Sequence, residues 1–415
     1  MGQAGASTRA VTALIWMIGL AVFINYVDRG TLGIAAPRLK ADLGLSATQY
    51  GLAASAFFWA YAPGQLVAGW LVGRGQNGGN TGWLLAAGLG LWGLATVLTG
   101  LANGLLMLVL LRLLLGVGES ITFPALFKLI VDHVDAARQG AANAALSMGL
   151  ALGPAFGTLA GGLLLAALGW RWLFVIMGLA TLLWLLPWLL TLKRLPAPIE
   201  HGASGEAGPR YLEILVTRAA LSLSLVQVCW GFGLYFLVTW LPLWLVEERH
   251  YSLADMAWIG ALAFAAQALA ALVGGQMNDA LLRRGLPPGP VRRAGALAGT
   301  AMTALGLAGI PLSQGQGALI AALLTAGIGI GICHVCVNMM AQMFAGPSAV
   351  GKWVGIQNGF GNIAGIVNPL VTGAIIDATG SYNAAFALAA AMPLIALFSL
   401  AVLVPRPEPI NWPQR

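Results

Sequence analysis

Leu105-Leu-Met-Leu-Val-Leu-Leu-Arg112-Leu-Leu-Leu-Gly116-Val-Gly118-Glu119 sets two opposite charges into a run that is otherwise apolar or glycine. The apolar stretch around it, 104–132, exceeds the roughly 20 residues a helix needs to cross a bilayer. Ionisable side chains at membrane depth are costly unless they line a polar cavity or pair with one another. A second opposite pair, Asp28 with Arg29, lies in the first apolar run. Four such charges in one half of the chain mark a working site, and the work they suit is moving a charged solute.

The rest of the chain supports a membrane setting. Only 8% of its 415 residues are charged and 59% are hydrophobic, against about 25% charged in a soluble domain. Mean hydropathy is +0.83. Twelve apolar runs can be drawn, at roughly 12–36, 47–73, 81–102, 104–132, 138–168, 170–192, 216–246, 256–280, 292–313, 317–344, 350–377 and 383–404. The expected fold is all-α and integral to a membrane, with twelve transmembrane helices and no room for a soluble catalytic domain. The first run leads into Asn25, Tyr26, Asp28 and Arg29 without a small-residue cleavage site, which reads as a retained helix rather than a signal peptide.

The net charge of +7 reads as positive-inside bias rather than nucleic-acid binding. With both ends cytoplasmic, Arg9, Arg74, Lys128, Arg138, Lys193, Arg194, Arg210, Arg218, Arg283, Arg284, Arg292, Arg293, Lys352, Arg406 and Arg415 fall on or near that side. Arg38, Lys40, Arg171 and Arg249 fall outside. An even helix count fits this asymmetry.

The polar stretch Lys193 to Arg210, rich in Pro and Gly, reads as a cytoplasmic linker. It divides the chain into an N-terminal six-helix half (1–192), a linker (193–215) and a C-terminal six-helix half (216–415). Gly69-Trp-Leu-Val-Gly73-Arg74 is echoed by Gly275-Gln-Met-Asn-Asp279-Ala-Leu-Leu-Arg283-Arg284. Repeated six-helix halves are a transporter architecture.

Other motifs are expected to be structural. Gly88, Gly90 and Gly93 match G-x-G-x-x-G without the preceding strand a nucleotide site needs. Gly327, Gly329 and Gly331 read as packing or flexing points of the tenth span. Cys229, Cys333 and Cys336 lie in apolar runs, and Cys333-His334-Val335-Cys336 lacks the fourth ligand of a metal site. No metal or other cofactor is expected.

Arg112 and Glu119, seven residues apart, share a helix face but stand about 10 Å apart along it. They cannot satisfy each other. Asp28 and Arg29 are about 100° apart around their helix, and both border one cavity if that helix is broken or tilted there. Cross-pairing follows, Asp28 with Arg112 and Glu119 with Arg29, giving a neutral set. A carboxyl withdrawn from water takes up a proton more readily. A proton on Glu119 frees Arg29 for a substrate carboxylate, so proton and anion promote each other's binding. Asp28 is a second candidate proton site.

Asn25-Tyr26-Val27-Asp28-Arg29, the Arg112 to Glu119 run followed by Phe123-Pro124-Ala125, Gly169-Trp170-Arg171, and Gly355-Ile-Gln357-Asn358-Gly-Phe-Gly361-Asn362-Ile-Ala-Gly365-Ile resemble the anion:cation symporter family of the major facilitator superfamily. That family includes bacterial hexonate and hexuronate transporters and is related to sialin and the vesicular glutamate transporters. The resemblance spans essentially the whole chain. It implies a secondary active carrier in the bacterial inner membrane that moves small organic anions with protons by alternating access, working as a monomer. It implies proton sites at Asp28 and Glu119, Arg29 on the substrate carboxylate, Arg112 paired with the acids, and Tyr26, Tyr61 and Asn358 lining the pocket.

Two positions depart from the family pattern. Gly73 stands where an aspartate is usual, whereas Asp279 is kept in the second copy, which predicts a shift toward inward-open forms. The tenth helix carries His334, Val335, Cys336, Val337 and Asn338 where sugar-acid members have hydroxyl residues and a tryptophan. In the C-terminal half, charges sit near helix ends or in loops, so substrate selection is expected from neutral residues. His334, Asn338 and Gln342 recur every four residues on one helix face and Asn358 and Asn362 on another. Gln227, Tyr235, Thr239, Trp240 and Gln267 are further candidates. His334 reads as a neutral hydrogen-bonded side chain, with a third proton site as the alternative.

Other carriers remain open. Spinster-type lysolipid transporters also have Asn-Tyr-x-Asp-Arg and Gly-Val-Gly-Glu, and Gly149-x-x-x-Gly153-Pro154-x-x-Gly157 resembles the fifth-helix motif of drug antiporters. An organic-anion exchanger is a further possibility. A membrane enzyme would need a nucleophile with a base or a metal cluster, and His133, His201 and His250 are expected in loops.

Overall fold

The computed structural model describes residues 2–74, 81–198 and 209–412. Every regular element among them is helical. Helices α1 (Gly2–Arg29), α2 (Thr31–Asp42), α3 (Ala47–Arg74), α4 (Thr81–Thr99), α5 (Leu105–Ser120), α6 (Thr122–His133) and α7 (Ala136–Leu192) come first. They are followed by α8 (Tyr211–Leu215), α9 (Arg218–Thr239), α10 (Leu241–Glu247), α11 (Leu253–Arg283), α12 (Pro288–Leu312), α13 (Gln316–Thr379) and α14 (Asn383–Phe398). A π-helical turn, Ser399–Leu403, closes the series.

Ten stretches are long and apolar enough to cross a membrane. The 57-residue α7 bends at Gly169 (φ 81°, ψ 169°) into two arms, each long enough to span. Only glycine adopts that conformation without strain. Gly346 (φ 63°) separates the two arms of α13 in the same way. With α3 as a further 28-residue helix, each of the twelve apolar runs lies on helix.

Two spans are interrupted where the charges sit. The first breaks at Gly30, directly after Arg29. The fourth breaks at Ile121, two residues after Glu119. Pro124 has no N–H to donate back to Ser120, so the helical ladder cannot run through this point. The backbone stays right-handed helical at both points (Gly30 φ −80°, ψ −14°; Ile121 φ −74°, ψ −24°), so each break is a local lapse of the hydrogen-bond ladder beside the charges and the span runs on.

The chain forms two compact units, Met1–Gly202 with Leu245–Trp258, and Ala203–Trp244 with Ile259–Arg415. In the first, Gly149, Gly153 and Gly157 of α7 lie against α1. A Cβ on Gly153 would sit 2.6 Å from Tyr26 Cβ, and one on Gly157 would sit 2.8 Å from Val27 Cα. The antiporter-like glycine motif is thus the seat on which the Asn25–Arg29 segment rests. Gly169-Trp170-Arg171 ties α7 to the end of α2: Trp170 Nε1 donates to Asp42 Oδ2 at 2.7 Å and Arg171 Nη1 to the same oxygen at 3.4 Å. Lys40 Nζ donates to Glu247 Oε1 at 3.0 Å within this unit.

In the second unit, Phe344 and Trp353 stack with ring centroids 6.0 Å apart beside the Gly346 bend. Trp412 Nε1 donates to Ala345 O at 2.7 Å, so the C-terminal segment is bound over that bend.

Candidate functional site

The site of the first unit is built by two glycines of α5. A Cβ on Gly116 would collide with the Phe57 carbonyl oxygen, so α3 lies directly on α5 there. A Cβ on Gly118 would stand 2.7 Å from the Gly88 carbonyl oxygen and 2.8 Å from Trp92 N, so α4 lies on the other side. Small residues allow membrane helices to approach backbone to backbone. The consequence is that Phe57 and Tyr61 of α3 and Trp92 and Thr96 of α4 meet Glu119 and Arg112 of α5.

Arg29 Nε donates to Glu119 Oε2 at 3.3 Å, with the arginine side chain 14% exposed and the glutamate 0%. This pair is as the sequence predicts. Three rings surround the Arg29 guanidinium: Tyr61 at 4.7 Å from Cζ to centroid, Tyr26 at 5.0 Å and Phe57 at 5.5 Å. All lie within cation–π range. The Tyr61 hydroxyl accepts from Gln65 Nε2 at 2.9 Å. Asn25 is fully buried next to Glu119.

The second predicted pair is not formed as a contact. Asp28 Oδ2 accepts from Trp92 Nε1 and from Thr96 Oγ1, the latter at 2.8 Å. No carboxylate oxygen lies within 4.0 Å of Arg112 among the described residues. Asp28 and Arg112 attract across a longer gap, while the Arg112 guanidinium packs 5.3 Å from the Phe57 centroid. The four charges are not a closed set: α4 brings neutral donors that a carboxylate in a dry site accepts equally well. Trp92, Thr96 and Phe57 were all missed. Trp92 and Thr96 are spaced i, i+4 and could have been read as one polar stripe on an apolar helix.

In the second unit, His334 and Asn338 come together, with Asn338 Nδ2 3.0 Å from His334 Nε2. The imidazole stacks on Trp230 at 4.5 Å and 23°, and Trp230 Nε1 donates to Ile330 O at 3.0 Å. Trp230 was not foreseen. The Cys333 thiol points elsewhere, accepting from Thr300 Oγ1 at 3.2 Å, and Cys336 lies against Gly295. Gln227 and Thr239 are buried, as are Trp240, Gln357 and Asn362, whereas Tyr235 and Gln267 are partly buried and Asn358 and Gln342 exposed. Asn362 thus does not share the exposure of Asn358. Asp279 is exposed and accepts from Asn278 Nδ2 at 3.3 Å.

His133 is the last residue of α6 and is 6% exposed, not a loop residue; the apolar face of α6 carries it inward. His250 lies between helices with φ 56°. Gly73, with its neighbour Arg74, and His201 in the linker lie outside the residues whose surroundings are described.

A chain of apolar helices holding an ion pair, with Glu119 fully buried and Arg29 14% exposed, has the architecture of a membrane carrier. The family model "Major Facilitator Superfamily" matches residues 18–367 and 254–415. This chain belongs to the Major Facilitator Superfamily. It is 30% identical over 399 residues to a probable sulfoacetate transporter of Cupriavidus necator, covering 91% of this chain and 90% of that protein. It is 28% identical to a probable galactarate/D-glucarate transporter of Bacillus subtilis, covering 97% and 93%, and 27% identical to the hexuronate transporter of that organism, covering 94% and 93%. The fold matches the crystal structure of a bacterial homolog of the human lysosomal transporter Spinster, inward-facing and unoccupied, with a TM-score of 0.76 at 20% identity over 95% of each chain. The protein is an integral membrane transporter, not an enzyme.

Proposed function

We propose that this transporter is a proton symporter for a small carboxylate-bearing anion, with no cofactor beyond the coupling proton. The observation that carries the reading is the Arg29–Glu119 ion pair at 3.3 Å, buried on the glutamate side and partly open on the arginine side. A proton taken up by the Glu119 carboxylate removes the counter-ion of Arg29. The guanidinium then binds a substrate carboxylate in its place, and release of the anion and proton restores the pair. Binding of each ligand favours the other by the same factor. The aromatic rings hold Arg29 in position through the exchange.

In this reading Asp28 is a second proton site, Arg112 balances the acids, and Tyr26, Tyr61 and Asn358 contact substrate. His334, Asn338, Gln267 and Tyr235 select among anions through neutral hydrogen bonds. The protein works as a monomer in a bacterial inner membrane with both termini cytoplasmic, an orientation supported by the distribution of Lys and Arg. The names of the relatives suggest sulfoacetate, aldarates and hexuronates as substrates to try.

Reconstitution into liposomes holding a pH dye tests this. Adding sulfoacetate, galactarate, glucarate, hexuronates, dicarboxylates or lysolipids separately is expected to acidify the lumen with one class of acid, and Glu119→Gln is expected to abolish the signal. Acid entry without proton entry would establish an anion exchanger instead. Movement of lysolipid alone would establish a spinster-like carrier.

A further inference from the structure

We propose that Phe57 is a positioning residue whose single ring supports both Arg29 and Arg112, and that this support makes protonation of Glu119 affordable in the empty site. The proposal rests on the reading of Glu119 as a proton site.

The geometry is specific. The Phe57 centroid lies 5.5 Å from Arg29 Cζ and 5.3 Å from Arg112 Cζ. Phe57 is 1% exposed. Its ring stacks on Tyr61 at 5.0 Å and 23° and meets the edge of Phe58 at 4.9 Å, while Gly116 clamps its backbone. It is therefore a fixed post between two cations. Arg112 needs it, because its Nε makes no hydrogen bond and Asp28 is engaged by Trp92 and Thr96.

The internal repeat supplies an independent observation. In the second unit the helix approach equivalent to Gly116 on Phe57 is Gly327 on the Ala263 carbonyl oxygen. The position corresponding to Phe57 is thus Ala263, and the one corresponding to Arg112, six residues before the next glycine of the motif, is Leu323. A large ring stands at this crossing in the unit with guanidinium groups, and a methyl group stands there in the unit without them.

The physical consequence concerns proton uptake. While Glu119 is ionised, Arg29 has a counter-ion. Once Glu119 is protonated, both guanidinium groups lose a negative neighbour and depend more on the electron-rich face of the ring, an attraction that grows in dry surroundings. Deleting the ring disfavours the protonated state, so Glu119 should bind its proton less tightly. The ionisable groups that act on Glu119 are Asp28 and Arg29 on α1, Arg112 on α5 and Tyr61 on α3, with Tyr26 beside Tyr61; Tyr50 reaches the set only through Arg112, and Glu247 only through Tyr50. On α6, Lys128 pairs with Asp132, beside His133; α4 contributes none. All are retained when Phe57 is changed.

The test is an infrared difference titration of the purified full-length protein without substrate, following the protonated-carboxyl band that Glu119→Gln removes. Phe57→Leu is expected to lower proton affinity about tenfold, the equivalent of one pH unit, and Phe57→Tyr, which keeps a ring, is expected to titrate like the wild type. Phe57→Met fills similar volume without a ring and serves if the leucine variant does not fold. An unchanged midpoint in the leucine or methionine variant, a tyrosine variant as affected as leucine, or a wild type with no Glu119 band would overturn the proposal. The symport reading fails separately, if the band titrates and moves with Phe57 but no acid carries protons into liposomes.

Discussion

Two helix crossings of one design carry opposite chemistry. In the first unit Gly88 and Gly118 face each other, and a Cβ on either would come within 2.8 Å of the other's carbonyl oxygen. In the second, Gly299 and Gly329 do the same within that distance. Four residues after the first glycine of each pair, Trp92 N and Thr303 N meet the partner helix in the same way. The backbones are alike, but the residue after Gly118 is Glu119 and the residue after Gly329 is Ile330. The scaffold is thus indifferent to its cargo of side chains. In the proposed coupling, one copy of the crossing carries the acids, the bases and the neutral donors that keep them in place. The other copy turns to a histidine–tryptophan stack that carries no fixed charge.

The strongest way to break this comparison is to remove the proposed proton site from one unit and the imidazole from the other. Glu119→Gln should reduce acid-driven uptake to background, whereas His334→Gln should keep proton movement tied to anion movement while changing which anion is preferred. The liposome assay with the pH dye reads both. If His334→Gln abolished coupling as fully as Glu119→Gln, the division of labour between units would be wrong and the histidine would be a proton site.

Next in size is Arg29→Lys. A lysine keeps the charge but loses the planar fork and the stacking on three rings. Loss of a charge-assisted hydrogen bond costs about 1.5–3 kcal/mol, so KM should rise roughly 10- to 100-fold with the proton-to-anion ratio unchanged. Uptake measured against substrate concentration at several external pH values checks this.

Thr96→Val sharpens the account of Asp28. It removes one of two neutral donors and leaves a buried carboxyl under-satisfied, at about 1–3 kcal/mol. A lower thermal unfolding temperature in detergent is expected, with Thr303→Val in the second unit costing less because Thr303 bonds its own helix at Gly299 O. The smallest effect expected is that of Trp230→Leu. Losing an aromatic stack is worth about 0.5–1.5 kcal/mol, so substrate preference should change only a few-fold in competition uptake.

The charged residues were legible because each is expensive where it lies. Arg112 and Glu119 in a leucine run announce a membrane site, and their seven-residue spacing excludes mutual pairing and directs Glu119 to Arg29. The same logic failed for Asp28, because a tryptophan and a threonine in an apolar helix cost little and carry no signal of the acid they will meet. It failed also for Phe57, one ring among many apolar residues. Asn358 and Asn362, spaced four apart, were read as one face, yet one is exposed and the other buried, since neighbours rather than periodicity decide what covers a helix. The alternating glycines 327, 329 and 331 were expected to pack, and they do: Gly329 lies on α12 at Gly299, while Gly327 and Gly331 meet Ala263 and Gln267 of α11.

The sequence by itself determined that the chain is helical, spans a membrane about twelve times and invests its buried charges in one half. Hydrophobic run length and the desolvation of ions are local quantities that need no partner to be evaluated. Tertiary structure alone decided which neutral groups complete the charges. Trp92 on Asp28 and Phe57 between two arginines depend on helices brought together by Gly116 and Gly118, and a contact across a crossing exists only once both backbones are in place.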